Sequence, residues 1–145
     1  MIKNLLLIFM LSIAQIQIVW ANYDGYLIQA IEDGDLNKVK SLISKGANMN
    51  ATKWGWNALI WASYEGHFKI AKYLISKGAD VNVKDDFFGN TALMNASLNG
   101  HFELVKFLVS KGANVNAKNK SGLTALNKAK TSEIKQFLIN NGARE

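Results

Sequence analysis

Apolar residues along most of this chain recur at spacings of three and four. The runs are Leu36, Val39, Leu42, Ile43, then Ile70, Ala71, Leu74, Ile75, then Leu104, Val105, Leu108, Val109. Each is the one-sided stripe of an amphipathic helix. Lys45, Lys77 and Lys111 are expected in the last turn of these helices, where a cation is favourable against the helix dipole. Gly46, Gly78 and Gly112 follow, as helix-ending glycines do. A shorter segment precedes each of the later stripes: NALIWAS at 57–63, TALMNAS at 91–97 and a third copy, TALNKAK, at 124–130. Asn57, Thr91 and Thr124 open these segments and can cap a helix by accepting backbone N–H bonds. The pattern predicts helix, turn, helix, loop, several times over.

The repetition is explicit. SKGANMN at 44–50 returns as SKGADVN at 76–82, SKGANVN at 110–116 and a clipped NNGAR at 140–144. EGHF at 65–68 returns as NGHF at 99–102, with DGDL at 33–36 as a weaker copy. Gly46, Gly78, Gly112 and Gly142 stand 32, 34 and 30 residues apart. Self-similarity at that period marks a stacked repeat architecture, in which no single unit can bury its own apolar face.

The chain resembles the ankyrin repeat, whose T-P-L-H-x-A pattern stands here as N-A-L-I-W-A, T-A-L-M-N-A and T-A-L-N-K-A. Gly66-His67, Gly100-His101 and Gly78-Ala79-Asp80-Val81-Asn82 match further elements of that family. The resemblance runs from about Tyr23 to Arg144. It implies an all-α solenoid of about four helix-turn-helix repeats, near 22–52, 53–85, 86–118 and 119–145, joined by β-hairpin-like loops. The terminal repeats act as caps. Ala58, Ala92 and Ala125 replace the family's proline, and Ile60, Met94 and Asn127 its histidine. The last unit is short, with five residues from Ala129 to Ile134 against eight from Ala96 to Leu104.

The resemblance also implies a concave groove for a protein partner, lined by residues beside the hairpin glycine and just before Gly-His. In the second unit these are Trp54, Trp56, Tyr64 and Glu65. In the third they are Phe87, Phe88, Asn90, Leu98 and Asn99. The ends contribute Glu32 and Asp33, and Lys120, Ser121 and Leu123. Five aromatics on adjacent loops suit the anchors of a protein-binding site. The competing expectation is that Trp54, Trp56, Phe87 and Phe88 pack on one another and stiffen two loops. Trp61 holds a position the family fills with a core leucine, so core packing is expected for it.

Residues 1–21, MIKNLLLIFMLSIAQIQIVWA, have one charge, a short apolar centre and small residues before the end. They read as a secretory signal peptide cleaved after Ala21, which predicts a periplasmic or extracellular protein. A retained anchor is the alternative, although Ser12, Gln15 and Gln17 interrupt the run before the roughly 20 apolar residues a span needs. Lys, Asn and Ile supply 45 of 145 residues, a bias that favours an AT-rich bacterial genome.

Composition removes several chemistries. With no cysteine there is no disulfide, thiolate metal site or cysteine nucleophile. His67 and His101 occupy equivalent repeat positions and read as capping or packing residues. Asp85-Asp86 reads as a solvated turn. No catalytic residue, metal site or cofactor is expected, and no hydrolase pattern or phosphate loop appears. The net charge of +6 comes largely from lysines on the second helix of each unit, such as Lys38, Lys40, Lys69, Lys72 and Lys106. That face is the alternative binding surface, for nucleic acid or an anionic membrane or cell-surface polymer, and export argues against nucleic acid. The reading is therefore a monomeric, exported, non-enzymatic protein-interaction module.

Overall fold

A computed structural model describes residues 23–144; the apolar segment read as a signal peptide lies outside the described residues. Four helical pairs follow one another. The first pair is α1, over residues 23–32, and α2, Leu36–Ser44. The second is α3, Ala58–Glu65, and α4, Phe68–Ser76. The third is α5, Ala92–Asn99, and α6, Phe102–Ser110, and the last is α7, Ala125–Lys128, and α8, Ser132–Asn140.

The inner helices stack side by side, α3 on α5 and α5 on α7, and the outer helices form a second row behind them. Neighbours on both sides explain the composition of the inner helices. In α5, all of Ala92 to Ser97 is buried, and small residues such as Ala96 and Ser97 permit close approach. The outer helices have one buried stripe only, Ile70, Ala71 and Leu74 in α4 and Leu104, Val105 and Leu108 in α6. Lysines occupy their solvent side. The core is continuous from Leu27 and Ile31 to Ile134 and Leu138. Since the transfer free energy scales with buried apolar area, each unit is stable mainly through its neighbours.

The expected caps form. Asn57, Thr91 and Thr124 accept the backbone N–H of Ile60, Met94 and Asn127. Asp35 caps α2 through Lys38 N, and Thr131 caps α8 through Ile134 N. The lysines expected in the last turns sit one residue further on: Lys45, Lys77 and Lys111 are C-cap residues whose backbone N–H groups bond the last helical carbonyls.

The histidines do not cap α4 and α6 with their side chains. They tie one unit to the previous one instead. His101 Nε2 donates to the Tyr64 carbonyl at 2.9 Å, and His67 Nε2 to the Glu32 carbonyl at 3.3 Å. Each ring lies on the glycine of the preceding unit. A Cβ on Gly66, whose φ is +78°, would stand 2.5 Å from His101 Cε1. Glycine is therefore required there both for the left-handed cap and for the ring above it.

Only the second unit has a paired hairpin among the described residues. Strand β1, Thr52–Lys53, pairs antiparallel with β2, Trp56–Asn57. The longer third loop has a single bridge, Lys84 with Thr91, and in the fourth Asn119 N donates to Leu123 O. The tips are joined into one row: Asp86 N donates to Gly55 O at 3.1 Å, and Lys120 N to Phe88 O at 2.9 Å. The last unit's short first helix, four residues long, ends at Ala129 in extended conformation, and Lys130 N bonds back to Ser97 O.

Candidate functional site: an aromatic cleft at the loop tips

The hairpin between β1 and β2 turns through Trp54 and Gly55, with φ of +53° and +69°. Positive φ at both central residues is what the two-residue type I′ turn requires, and that turn matches the twist of the strands it joins. Asparagine or glycine usually holds the first of these positions. A tryptophan there is strained by about 1 kcal/mol, and the conformation holds its side chain outward, 70% exposed.

The rings of this unit converge on Trp61. Trp56 meets it edge-on at 4.9 Å between centroids, and Trp54 lies at 6.2 Å. On its other side Trp56 packs against Tyr64 at 5.0 Å. Trp61 and Tyr64 are three residues apart on α3, so they share one face of that helix. Trp61 packs on the core as expected, although not within it. It is half-buried, touches the core from above and forms the floor of an open aromatic cluster. Its register equivalent in α7, Lys128, is likewise half-buried, whereas the one in α5, Asn95, is buried between the neighbouring helices.

Phe87 and Phe88 form the opposite wall, each 60% exposed. Their loop is organised around Asp85, which is 2% exposed. One carboxylate oxygen accepts the backbone N–H of Phe87, Phe88 and Gly89 at 3.0, 2.6 and 3.3 Å, and the other accepts that of Asn90 at 2.9 Å. Asp85 is therefore no solvated turn residue, whereas its neighbour Asp86 is exposed. Charge-assisted bonds of this kind are roughly twice as strong as neutral ones. They fix the peptide carrying both phenylalanines. The Phe87 ring lies across Gly55, where a Cβ would come within 2.9 Å of Phe87 Cδ2.

Between the walls is an apolar cleft of about 260 Å³, lined by Trp54, Trp56, Trp61, Phe87 and Phe88. Pockets for small molecules run from roughly 300 to 1,000 Å³ and carry a few polar groups. This cleft is smaller and lined by aromatic residues alone, so it suits a single bulky side chain. Lys53 stands beside it, its ammonium 4.7 Å from the Trp54 ring and paired with Glu32 at 2.9 Å.

Other expected groove residues divide. Tyr64, Glu65, Leu98 and Leu123 are exposed. Leu98 and Leu123 belong to the later units and do not line the cleft. Asn99 is half-buried, with its amide on the Asn95 carbonyl at 3.1 Å. Asn90 is buried and is not a contact residue. Its carbonyl accepts Asp85 N, and its side-chain oxygen accepts the Asn119 amide at 2.8 Å, a bond that braces adjacent loops. Among the described residues, no three His, Cys, Asp or Glu side chains gather to hold a metal ion, and no helix is long and apolar enough to cross a membrane.

Repeated helical pairs, glycine-ended and joined by tips at right intervals, have a counterpart in known sequences. A family model described as Ankyrin repeats (3 copies) matches residues 3–85 and 84–144. The chain belongs to the ankyrin-repeat family. Over 68 residues this ankyrin-repeat chain is 35% identical to a human protein named Mitochondrial disaggregase, which covers 46% of the chain and 10% of that protein. It is 42% identical over 59 residues to mouse 2-5A-dependent ribonuclease, covering 39% and 8%. Notch-regulated ankyrin repeat-containing protein of Xenopus tropicalis is 46% identical over 52 residues, 35% of this chain and 46% of that one. The chain thus spans a tenth or less of the first two and under half of the third. Ankyrin repeats are generally protein–protein interaction modules, and ankyrin-repeat domains are typically non-enzymatic.

Proposed function

We propose that this ankyrin-repeat chain is an exported, non-enzymatic module that binds a protein partner through its concave groove and loop tips. The observation that carries this reading is the exposure of Trp54, Phe87 and Phe88 on adjacent, hydrogen-bonded tips. Clustered exposed aromatics on a rigid support are what interface hot spots consist of. Asp85 and the type I′ turn hold the rings in place before any partner arrives, which lowers the ordering entropy that binding must overcome.

The test is a W54S/F88S variant compared with the parent for capture of partners from the compartment to which the protein is exported. Both substitutions are on exposed rings, so the circular dichroism spectrum should be unchanged while the specifically retained protein disappears. Retention equal to the parent's would refute the site. Export is read separately: the mass of the protein recovered outside the cytoplasm should correspond to a chain starting at Asn22.

A second reading rests on the outer face. Helices α2 and α4 carry Lys38, Lys40, Lys69 and Lys72 with no acidic residue, and Lys40 and Lys77 each stand 5.7 Å from the Tyr73 ring. Such a face attracts polyanions, with an affinity that falls steeply as salt rises. A salt-independent interaction that survives K40E/K72E would set it aside.

A further inference from the structure

The groove is unevenly charged from one end to the other. One register position reads Trp61 in α3, Asn95 in α5 and Lys128 in α7, and these helices lie side by side in that order. Asn95 is buried, so the accessible part of this row passes from aromatic at Trp61 to cationic at Lys128. The tips follow the same trend. Lys120 N bonds Phe88 O, which seats the last loop directly against the cleft wall. The Lys84 ammonium is held by the Lys118 carbonyl at 2.8 Å, and the Lys120 ammonium by the Asp86 backbone carbonyl. These acceptors are neutral, so both cations are positioned without being neutralised by them. Between residues 118 and 130 stand Lys118, Lys120, Lys128 and Lys130 and no carboxylate. At the opposite end Asp33 and Glu65 are exposed.

We propose that the groove accepts an extended segment of a protein partner, with one bulky apolar side chain in the cleft and carboxylates directed over the last unit's lysines. The proposal rests on the protein-binding reading above and adds the partner's chemistry and register. Charge complementarity selects this register: a basic segment end would lie against Lys118, Lys120 and Lys128, and like charges across an interface are disfavoured. Packed helices are about 10 Å apart and an extended chain advances about 3.3 Å per residue. The carboxylates therefore lie about three to six residues from the apolar anchor on one side.

Short synthetic peptides test this directly. Each has one central Phe or Leu in a Ser/Thr background and a Glu pair or a Lys pair at a varied distance on one side. Emission from Trp54, Trp56 and Trp61 reports binding. The Glu peptides should bind about tenfold more tightly than the Lys peptides, and K118E/K120E/K128E should reverse the preference. Single-site K120E and a salt titration give the same answer if the triple variant is misfolded, since salt should weaken Glu peptides only. A preference absent from the parent, or unchanged by charge reversal while W54S/F88S abolishes binding, overturns the proposed register and leaves the aromatic site standing. Peptide binding unaffected by W54S/F88S overturns the site and the register together.

Discussion

The carboxylate of Asp85 accepts the backbone N–H of Phe88 at 2.6 Å, and through this bond a buried charge positions an exposed ring. The same carboxylate holds Phe87, Gly89 and Asn90. One side chain thus replaces the strand pairing that the longer third loop lacks.

Asp85→Ala should lower stability by about 2–3 kcal/mol, because the buried Asn90 N–H and the Phe87 and Phe88 N–H groups lose the carboxylate, while Gly89 N–H keeps the Asp85 backbone carbonyl at 3.1 Å. Urea unfolding measures this. The Phe87 and Phe88 resonances should also broaden or shift in NMR spectra. A loss below about 1 kcal/mol would show that the loop is held by its other contacts.

Trp54→Asn should weaken partner binding without lowering the melting temperature. Asparagine tolerates the left-handed conformation that strains tryptophan by about 1 kcal/mol, which offsets the lost contacts with Trp61 and Lys53. Calorimetry of the isolated protein, paired with a binding assay, separates the two effects. A marked fall in melting temperature would mean the ring is a structural element first.

Gly66→Ala should be more damaging than Gly78→Ala. Both glycines have positive φ, +78° and +95°, so each substitution carries about 1 kcal/mol of backbone strain. Only the first meets a neighbour, the His101 ring; around Gly78 nothing lies within 4 Å. A double-mutant cycle with His101→Ala should recover part of the Gly66→Ala loss, and equal losses for the two single variants would contradict the packing described.

Asn95→Leu should raise stability by about 1 kcal/mol. The Asn95 amide nitrogen is buried without a hydrogen-bond partner, and an unsatisfied polar group of that kind is destabilising relative to an apolar one of similar size. Thermal unfolding checks it. A decrease would indicate that the amide supports the packing between the inner helices.

Much of this architecture is legible along the chain because it is local. A helix cap involves residues three apart, as in Asn57 with Ile60, and the glycine ending α3 follows it directly. A stack of such units needs each to bury the same apolar positions, so the period appears in the residues themselves. His67 and His101 were recognisable as structural for the same reason, although their partners belong to the preceding unit and their role as ties could not be read from spacing.

The number of units, the helix caps and the solvated lysine face follow from periodicity and from the conformational preferences of single residues, and so are written along the chain. The burial of Asp85 beside an exposed Asp86, the bracing of two loops by Asn90 and the place of Trp61 at the floor of a cleft emerge only when the units stack. The difference is one of range. Each of these depends on which atoms from another unit fill the space beside a side chain, and adjacent residues with the same composition receive opposite environments once the units stack.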